Sequence, residues 1–301
     1  MSEKVIFVQQ LVKKFKEVTA VSGLDFSVER GEIFGLIGPD GAGKTTTLRV
    51  LAGIMLPTSG KVMVLGRTLP EEAEGVKEHI GYMCQRFSLY NDLTVEENIT
   101  FFAEIFGIDK KTLAERLAPL LEMTRLAPFK NRQAGKLSGG MKQKLALICT
   151  LIHRPQILFL DEPTTGVDPV SRREFWEILQ QIHSEGVTIV VSTPYMDEAE
   201  QCARIGLMFE GKIISCDTPK NMKKAFKGVA IEIFPQGNEV AVEKIISETC
   251  GIKDKQQLGE RYHMVLEDAD CLIALEKKLT GLARIRKISP SVEDVFVQKI
   301  G

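Results

Sequence analysis

The sequence predicts an α/β protein with a parallel sheet at its core, a helical insertion, and a small α+β domain at the C-terminal end. Three observations predict it. The compact apolar runs GEIFGLIG (from Gly31), ILFLDEP (from Ile157) and VTIVVST (from Val187) read as buried strands, with helical spacing between them. A glycine-rich loop follows the first run and opens a helix. Beyond about residue 223 the composition shifts, and the text reads strand, helix, strand, strand, helix, strand. That is the ferredoxin-like order.

Each element has a local reason. VIFVQQLVKKF (from Val5) and the stretch from Val21 to Val28 alternate as half-buried strands do. Helical spacing appears from Thr45 to Ile54. Thr94 with Glu97 three residues later is a capping-box signature, and Lys110 to Leu126 is also helical, so about 94–140 forms a helical subdomain. A helix around Phe175 to His183 separates the last two apolar strands, and YMDEAEQCARI (Tyr195 to Ile205) reads as a helix opened by Pro194. In the C-terminal part, Tyr262, Met264 and Leu266 fall on one face at period two. The expected domains are 1–222 and 223–301.

Composition bounds the function. Lys and Arg total 39 against 40 Asp and Glu, a balance that gives no electrostatic support for a nucleic-acid partner. The six cysteines are scattered without a CxxC pair and read as buried or half-buried thiols in a reducing compartment. The first ten residues, MSEKVIFVQQ, lack the pattern of a signal peptide. No apolar run approaches the ~18 residues that span a bilayer. The expectation is a cytoplasmic protein whose membrane role, if it has one, needs a partner.

The chemistry concentrates in two places. GPDGAGKT, Gly38 to Thr45, fits G-x-x-x-x-G-K-[ST] between a strand and a helix. Gly38, Gly41 and Gly43 let the backbone curl so that N–H groups converge on a phosphate, and the helix adds its positive end. Lys44 supplies a point charge to the β/γ-phosphates, and Thr45 a hydroxyl for Mg²⁺. The loop Gly38, Pro39, Asp40, Gly41, Ala42, Gly43, with Lys44, Thr45 and Thr46 of the first turn, is therefore the expected ATP cradle. ILFLDEP delivers Asp161 to the carboxyl end of a buried strand, placed to hold the metal through water. Glu162 follows, placed to polarise the attacking water. Taken alone, that pair would more readily be read as capping a helix; alongside the phosphate cradle it is not.

With these motifs on one chain, the sequence resembles the ABC (ATP-binding-cassette) ATPase family over roughly residues 5 to 220. The most specific element is LSGGMKQ, Leu137 to Gln143, upstream of ILFLDEP. The resemblance implies a P-loop ABC ATPase core with an antiparallel β subdomain and a helical subdomain. It also implies that Ser138, Gly139 and Gly140 bind the γ-phosphate of ATP held by a second subunit in a head-to-tail dimer. Phe15 matches the adenine-stacking aromatic, with a core phenylalanine as the alternative. Gln85 matches a glutamine that joins the Mg²⁺ shell and reports to a transmembrane partner. Asp168, in TTGVDP, matches a loop crossing the dimer interface, with a simple turn former before Pro169 as the alternative.

One position departs from the family. After VTIVV the family places a histidine on the γ-phosphate, and here the aligned residue is Pro194. Proline has no side-chain donor and no N–H, so it cannot replace that contact. The stretch from Gln85 to Asn98 and the ending SPSVEDVFV resemble the multidrug and efflux-type subfamily. The implied function is MgATP hydrolysis driving export through a separate transmembrane permease, at the cytoplasmic face of the membrane. Homodimer and heterodimer with another ATP-binding subunit both remain open. The alternatives are a degenerate or regulatory ATP-binding subunit, and a soluble ABC ATPase unconnected with transport.

Overall fold

Alternation near the N-terminus folds into an antiparallel pair, β1 (Lys4–Phe15) and β2 (Val18–Glu29), in a computed structural model that describes residues 3–86 and 88–300. Ile6, Leu11, Leu24 and Val28 of these strands are buried in the core. The next strand, β3 (Ile33–Ile37), is buried at all five positions, as a central parallel strand must be. It leads through the glycine-rich loop into α1 (Lys44–Leu51). Two further strands, β4 (Ser59–Val64) and β5 (Arg67–Leu69), complete a four-stranded antiparallel sheet in the order β2-β1-β4-β5. A short helix, α2 (Ala73–Lys77), then returns the chain to β6 (Ile80–Met83).

The helical subdomain has its own core. It comprises α3 (Val95–Ile105), α4 (Lys110–Met123) and the start of α5 (Gly139–Leu151). The capping box read from Thr94 and Glu97 is present: Glu97 N donates to Thr94 Oγ1 (3.2 Å) and Thr94 N to the Glu97 carboxylate (2.7 Å). Val95, Ile99, Leu121, Leu145 and Ile148 pack together beneath these helices.

Four more strands finish the main sheet. They are β7 (Ile157–Asp161), β8 (Thr188–Thr193), reached through α6 (Pro169–Ser184), and β9 (Arg204–Phe209), followed by β10 (Lys212–Asp217). The six-stranded order is β10-β9-β3-β8-β7-β6, with β3 parallel to β8 and β9, and β7 parallel to β6 and β8. One expected element is corrected. Tyr195 to Ile205 is not one helix: a 3-10 turn covers Met196–Gln201, and Arg204 already begins β9. Pairing with β3 and burial of Ile205, Leu207 and Met208 override the local helical pattern.

Contacts divide the chain into two units, Met1–Cys216 and Asp217–Gly301. The division precedes the expected start at 223, because α7 (Pro219–Lys224) packs with the last helix of the second unit. That unit runs β11 (Val229–Pro235), α8 (Glu239–Ser247), β12 (Ile252–Leu258), β13 (Arg261–Leu266), α9 (Ala269–Leu279), β14 (Ala283–Lys287) and α10 (Val292–Ile300). Its sheet is antiparallel in the order β12-β13-β11-β14, which is the ferredoxin-like arrangement. Tyr262, Met264 and Leu266 do share the buried face, against Val242, Ile246, Leu275 and Leu279. A second correction concerns the thiols: Cys216 and Cys250 are exposed rather than buried or half-buried.

Candidate functional site

The carboxyl edge of the parallel sheet gathers the chemistry. The loop after β3 is fixed by close approach: a Cβ on Gly38 would lie 2.1 Å from the Met208 carbonyl oxygen, and one on Gly43 2.4 Å from that of Ala20. Gly43 is the N-cap of α1 at φ +99°, and no side chain caps the helix there. The first N–H groups of α1 thus have no side-chain acceptor. Lys44 is buried at the helix start, and its Nζ donates to the carbonyls of Gly38 (2.8 Å) and Pro39 (3.0 Å).

Two carboxylates end β7. Asp161 is fully buried, and its Oδ1 accepts from Thr45 Oγ1 and Ser192 Oγ, each at 2.8 Å. Its Oδ2 accepts from the Tyr82 hydroxyl at 3.2 Å. Burial, and after it the neighbouring Asp161 charge, pushes the Tyr82 phenol up to about 12. Glu162 turns out of the strand at φ +48°, a region that L-residues occupy at a cost. Its N–H donates to Ser192, at 3.1 Å from both the carbonyl and the hydroxyl oxygen. Its carboxylate pairs with Lys44 Nζ at 3.2 Å, and accepts from Gln85 Nε2 at 2.8 Å and Thr165 Oγ1 at 3.3 Å. Lys44, Thr45, Gln85, Asp161 and Glu162, from three distant stretches of chain, form one connected group.

The remaining expected residues lie elsewhere. Ser138 caps α5, where Met141 N approaches its hydroxyl at 3.4 Å. Gly140 packs tightly, since a Cβ there would sit 2.7 Å from Ser171 Cβ, whereas Gly139 has only the Gly166 carbonyl within reach, at 3.9 Å. Asp168 caps α6 by accepting from Val170 N (3.1 Å) and Ser171 N (3.0 Å). Chiefly the bond from Ser171 N holds its carboxyl below the usual range. These four residues gather where α5 and α6 begin. Among the described residues, no hydrogen bond or ion pair joins them to Lys44, Asp161 or Glu162. Phe15 is 43% exposed at the end of β1 with Lys13 Nζ 5.0 Å from its ring centre, which removes the core alternative.

Pro194 follows β8 directly, half-buried, with Thr193 Oγ1 accepting from Tyr195 N at 3.0 Å. Beyond it Glu198 is buried, accepting from Thr164 Oγ1 (2.7 Å) and pairing with Arg172 (3.1 Å), whose guanidinium lies 4.1 Å from the Tyr195 ring centre. Sequence reasoning missed Tyr82, Ser192 and this Arg172–Glu198 link. The available signal was a hydroxyl within an otherwise apolar strand. A cleft of about 510 Å³ at the amino edge of the sheet, among Pro119, Met123, Pro155 and Gly186, contains none of the site residues.

The pattern of the family described as "ABC transporter" matches residues 21–165. Over the whole chain, the protein is 36% identical across 304 residues to the Nod factor export ATP-binding protein I of Burkholderia pseudomallei, covering 98% of that relative. The chain belongs to the ABC transporter ATP-binding proteins. It carries an ABC ATPase domain. It is also 47% identical over 221 residues to the probable multidrug ABC transporter ATP-binding protein YbhF of Escherichia coli. That match takes in 73% of this chain but only 38% of the relative's length. Among solved structures, the cassette superposes on cbiO1 of Clostridium perfringens, part of the ABC transporter complex cbiONQ, with a TM-score of 0.69. The identity is 26%, over 74% of this chain and 92% of that one. A dimeric bacterial ABC transporter cassette matches with a TM-score of 0.65 at 25% identity, over 71% of this chain and 98% of that one. No helix among the described residues is long and apolar enough to cross a membrane.

Proposed function

We propose that this ABC protein binds ATP with Mg²⁺ at the Lys44–Asp161–Glu162 corner, hydrolyses it slowly, and drives export through a separate transmembrane permease subunit. The observation that carries the proposal is the convergence of one buried cation, two strand-end carboxylates and Gln85 beside an uncapped helix N-terminus. A triphosphate would replace Gly38 O, Pro39 O and Glu162 as the partners of Lys44. Glu162 would then keep Gln85 and Thr165 as donors and be free to accept a proton from the attacking water. The N–H groups of Gly41, Ala42 and Gly43, with Thr46 in the first turn of α1, would line the phosphates beside Pro39 and Asp40.

The residues fit Mg²⁺. Asp161 is fully buried, and among the described residues no Lys, Arg or His pairs with it; only hydroxyls do. A buried carboxylate without a cation is costly, and an all-oxygen donor set of one carboxylate and one hydroxyl plus phosphates suits Mg²⁺. Thr45 and Asp161, with Gln85, would hold it. When bound, the ion would supply charge neutralisation at the phosphates.

The exposed ring of Phe15 would stack on adenine. The group Ser138, Gly139, Gly140 and Asp168 would serve the nucleotide of a second ATP-binding subunit, which explains why it stands apart from this chain's own Lys44 corner. The names of the relatives support export as the direction. The permease would place the chain at the cytoplasmic face of the membrane.

Pro194 favours a second reading, a regulatory subunit that binds ATP without turning it over. The two readings part on one experiment. Calorimetry with MgATP and phosphate release should show micromolar-range binding and slow turnover for the natural chain, and loss of both in Lys44→Ala. Binding without any phosphate release would move the chain to the regulatory reading, and unchanged binding in Lys44→Ala would sink the site.

A further inference from the structure

We propose that Tyr82 is a positioning residue for Asp161, fixing the orientation of the carboxylate that would serve the metal; the inference rests on the MgATP reading of this corner. The two oxygens of Asp161 are held differently. Oδ1 has two short donors, Thr45 and Ser192 (2.8 Å each). Oδ2 of this fully buried carboxylate has one partner among the described residues, the hydroxyl of the half-buried Tyr82 at 3.2 Å. Without that hydroxyl Oδ2 would be a buried acceptor left unpaired, and the carboxylate would be oriented through Oδ1 alone. Partners that orient a metal-binding side chain typically matter 10–100-fold in metal affinity or activity.

The strand order makes the contact possible. Tyr82 lies on β6, whose neighbour is β7, and its register partner is Phe159, two residues before Asp161. The chain that leaves β6 carries Gln85, which holds Glu162. One short stretch, 82–85, therefore reaches both members of the carboxylate pair: the phenol takes Asp161 and the amide takes Glu162. Because Gln85 is the proposed reporter to the permease, a displacement of this stretch would reach the carboxylate on the metal as well as the one on the water.

Tyr82→Phe removes one oxygen and leaves the ring. The test titrates a fluorescent ATP analogue onto the full chain in EDTA, then at increasing Mg²⁺, and follows Mn²⁺ binding in the presence of ATP by electron paramagnetic resonance. For Tyr82→Phe the expected result is unchanged nucleotide affinity in EDTA, with a metal midpoint about tenfold or more higher than in the natural chain. An identical metal midpoint in both proteins overturns the inference. So does an affinity loss as large in EDTA as in Mg²⁺, which would mean that the hydroxyl serves packing alone. A natural chain whose nucleotide binding ignores the metal overturns the Mg²⁺ site itself, and the role of Tyr82 with it.

Discussion

The neighbouring strands β7 and β8 end side by side at the same edge of one sheet, and they end differently. At the end of β7 both carboxylates have donors, but only one has a cation: Asp161 accepts from three hydroxyls, whereas Glu162 has Lys44 as well as Gln85 and Thr165. At the end of β8, Ser192 and Thr193 are occupied in structure, the first bridging Asp161 and Glu162 and the second bonding Tyr195 N. Then comes Pro194, which offers a reacting phosphate neither a side-chain donor nor an N–H. The difference separates two tasks. On the proposed reading, one strand end would hold the groups that bind nucleotide and polarise water, and the other would scaffold them while omitting a transition-state contact. Affinity and turnover should respond to different strands.

The largest effect that would sharpen this comparison is a gain. Losing one preorganised transition-state contact costs roughly 10²–10³ in rate. Pro194→His should recover part of that, raising maximal phosphate release by about tenfold or more while changing ATP affinity little. If the rate stays flat, the corner after β8 is shaped by proline, held by the Arg172–Glu198 link, and histidine there is misplaced.

A smaller effect is expected at the bridge. Ser192→Ala removes a donor to Asp161 and leaves Glu162 N with only the Ser192 carbonyl, so it should cost about 1–3 kcal/mol of stability. Urea unfolding measures that loss directly. Unaltered stability would mean that the two strand ends are not joined as described.

Smaller still is the acid response. His153 Nε2 donates to the Ile80 carbonyl at the start of β6 (2.9 Å), its ring stacked on Phe106, and burial lowers its pKa. A histidine depressed in the folded state contributes stability above its ordinary pKa near 6.5, and loses it as pH falls below that value. Between pH 7 and pH 5 the thermal midpoint of the natural chain should fall more steeply than that of His153→Gln. Parallel curves would discount the buried ring.

Removing the second unit is expected to change the site least. A chain ending at Cys216 keeps both strand ends, and its MgATP affinity measured by calorimetry should match that of the full protein. Loss of binding would tie the cradle to residues beyond the first unit.

What the sequence disclosed follows from how local each feature is. Gly38 to Thr45 is a contiguous motif between a strand and a helix, so its curl and the start of α1 were legible. Asp161 and Glu162 stood out because four apolar residues precede them in a buried strand. Tyr82 and Ser192 showed only as hydroxyls within apolar strands, and their partner was not legible, since only the order β6-β7-β8 brings them to Asp161, and that order is a property of the whole sheet. The segment 195–205 misled for the same reason: its local pattern is helical, but pairing of β9 with β3 decides it. The unit boundary fell ahead of the composition shift because packing of α7 with α10, not composition, sets it.

The most direct test of the central claim is Glu162→Gln. The substitution keeps the shape of the side chain but weakens its hold on a proton. The account predicts MgATP affinity within a few-fold of the natural chain, phosphate release reduced by roughly 10² or more, and an ATP-dependent shift to dimer mass in light scattering. Phosphate release equal to that of the natural chain would contradict it, because the carboxylate at the end of β7 would then have no part in polarising the water.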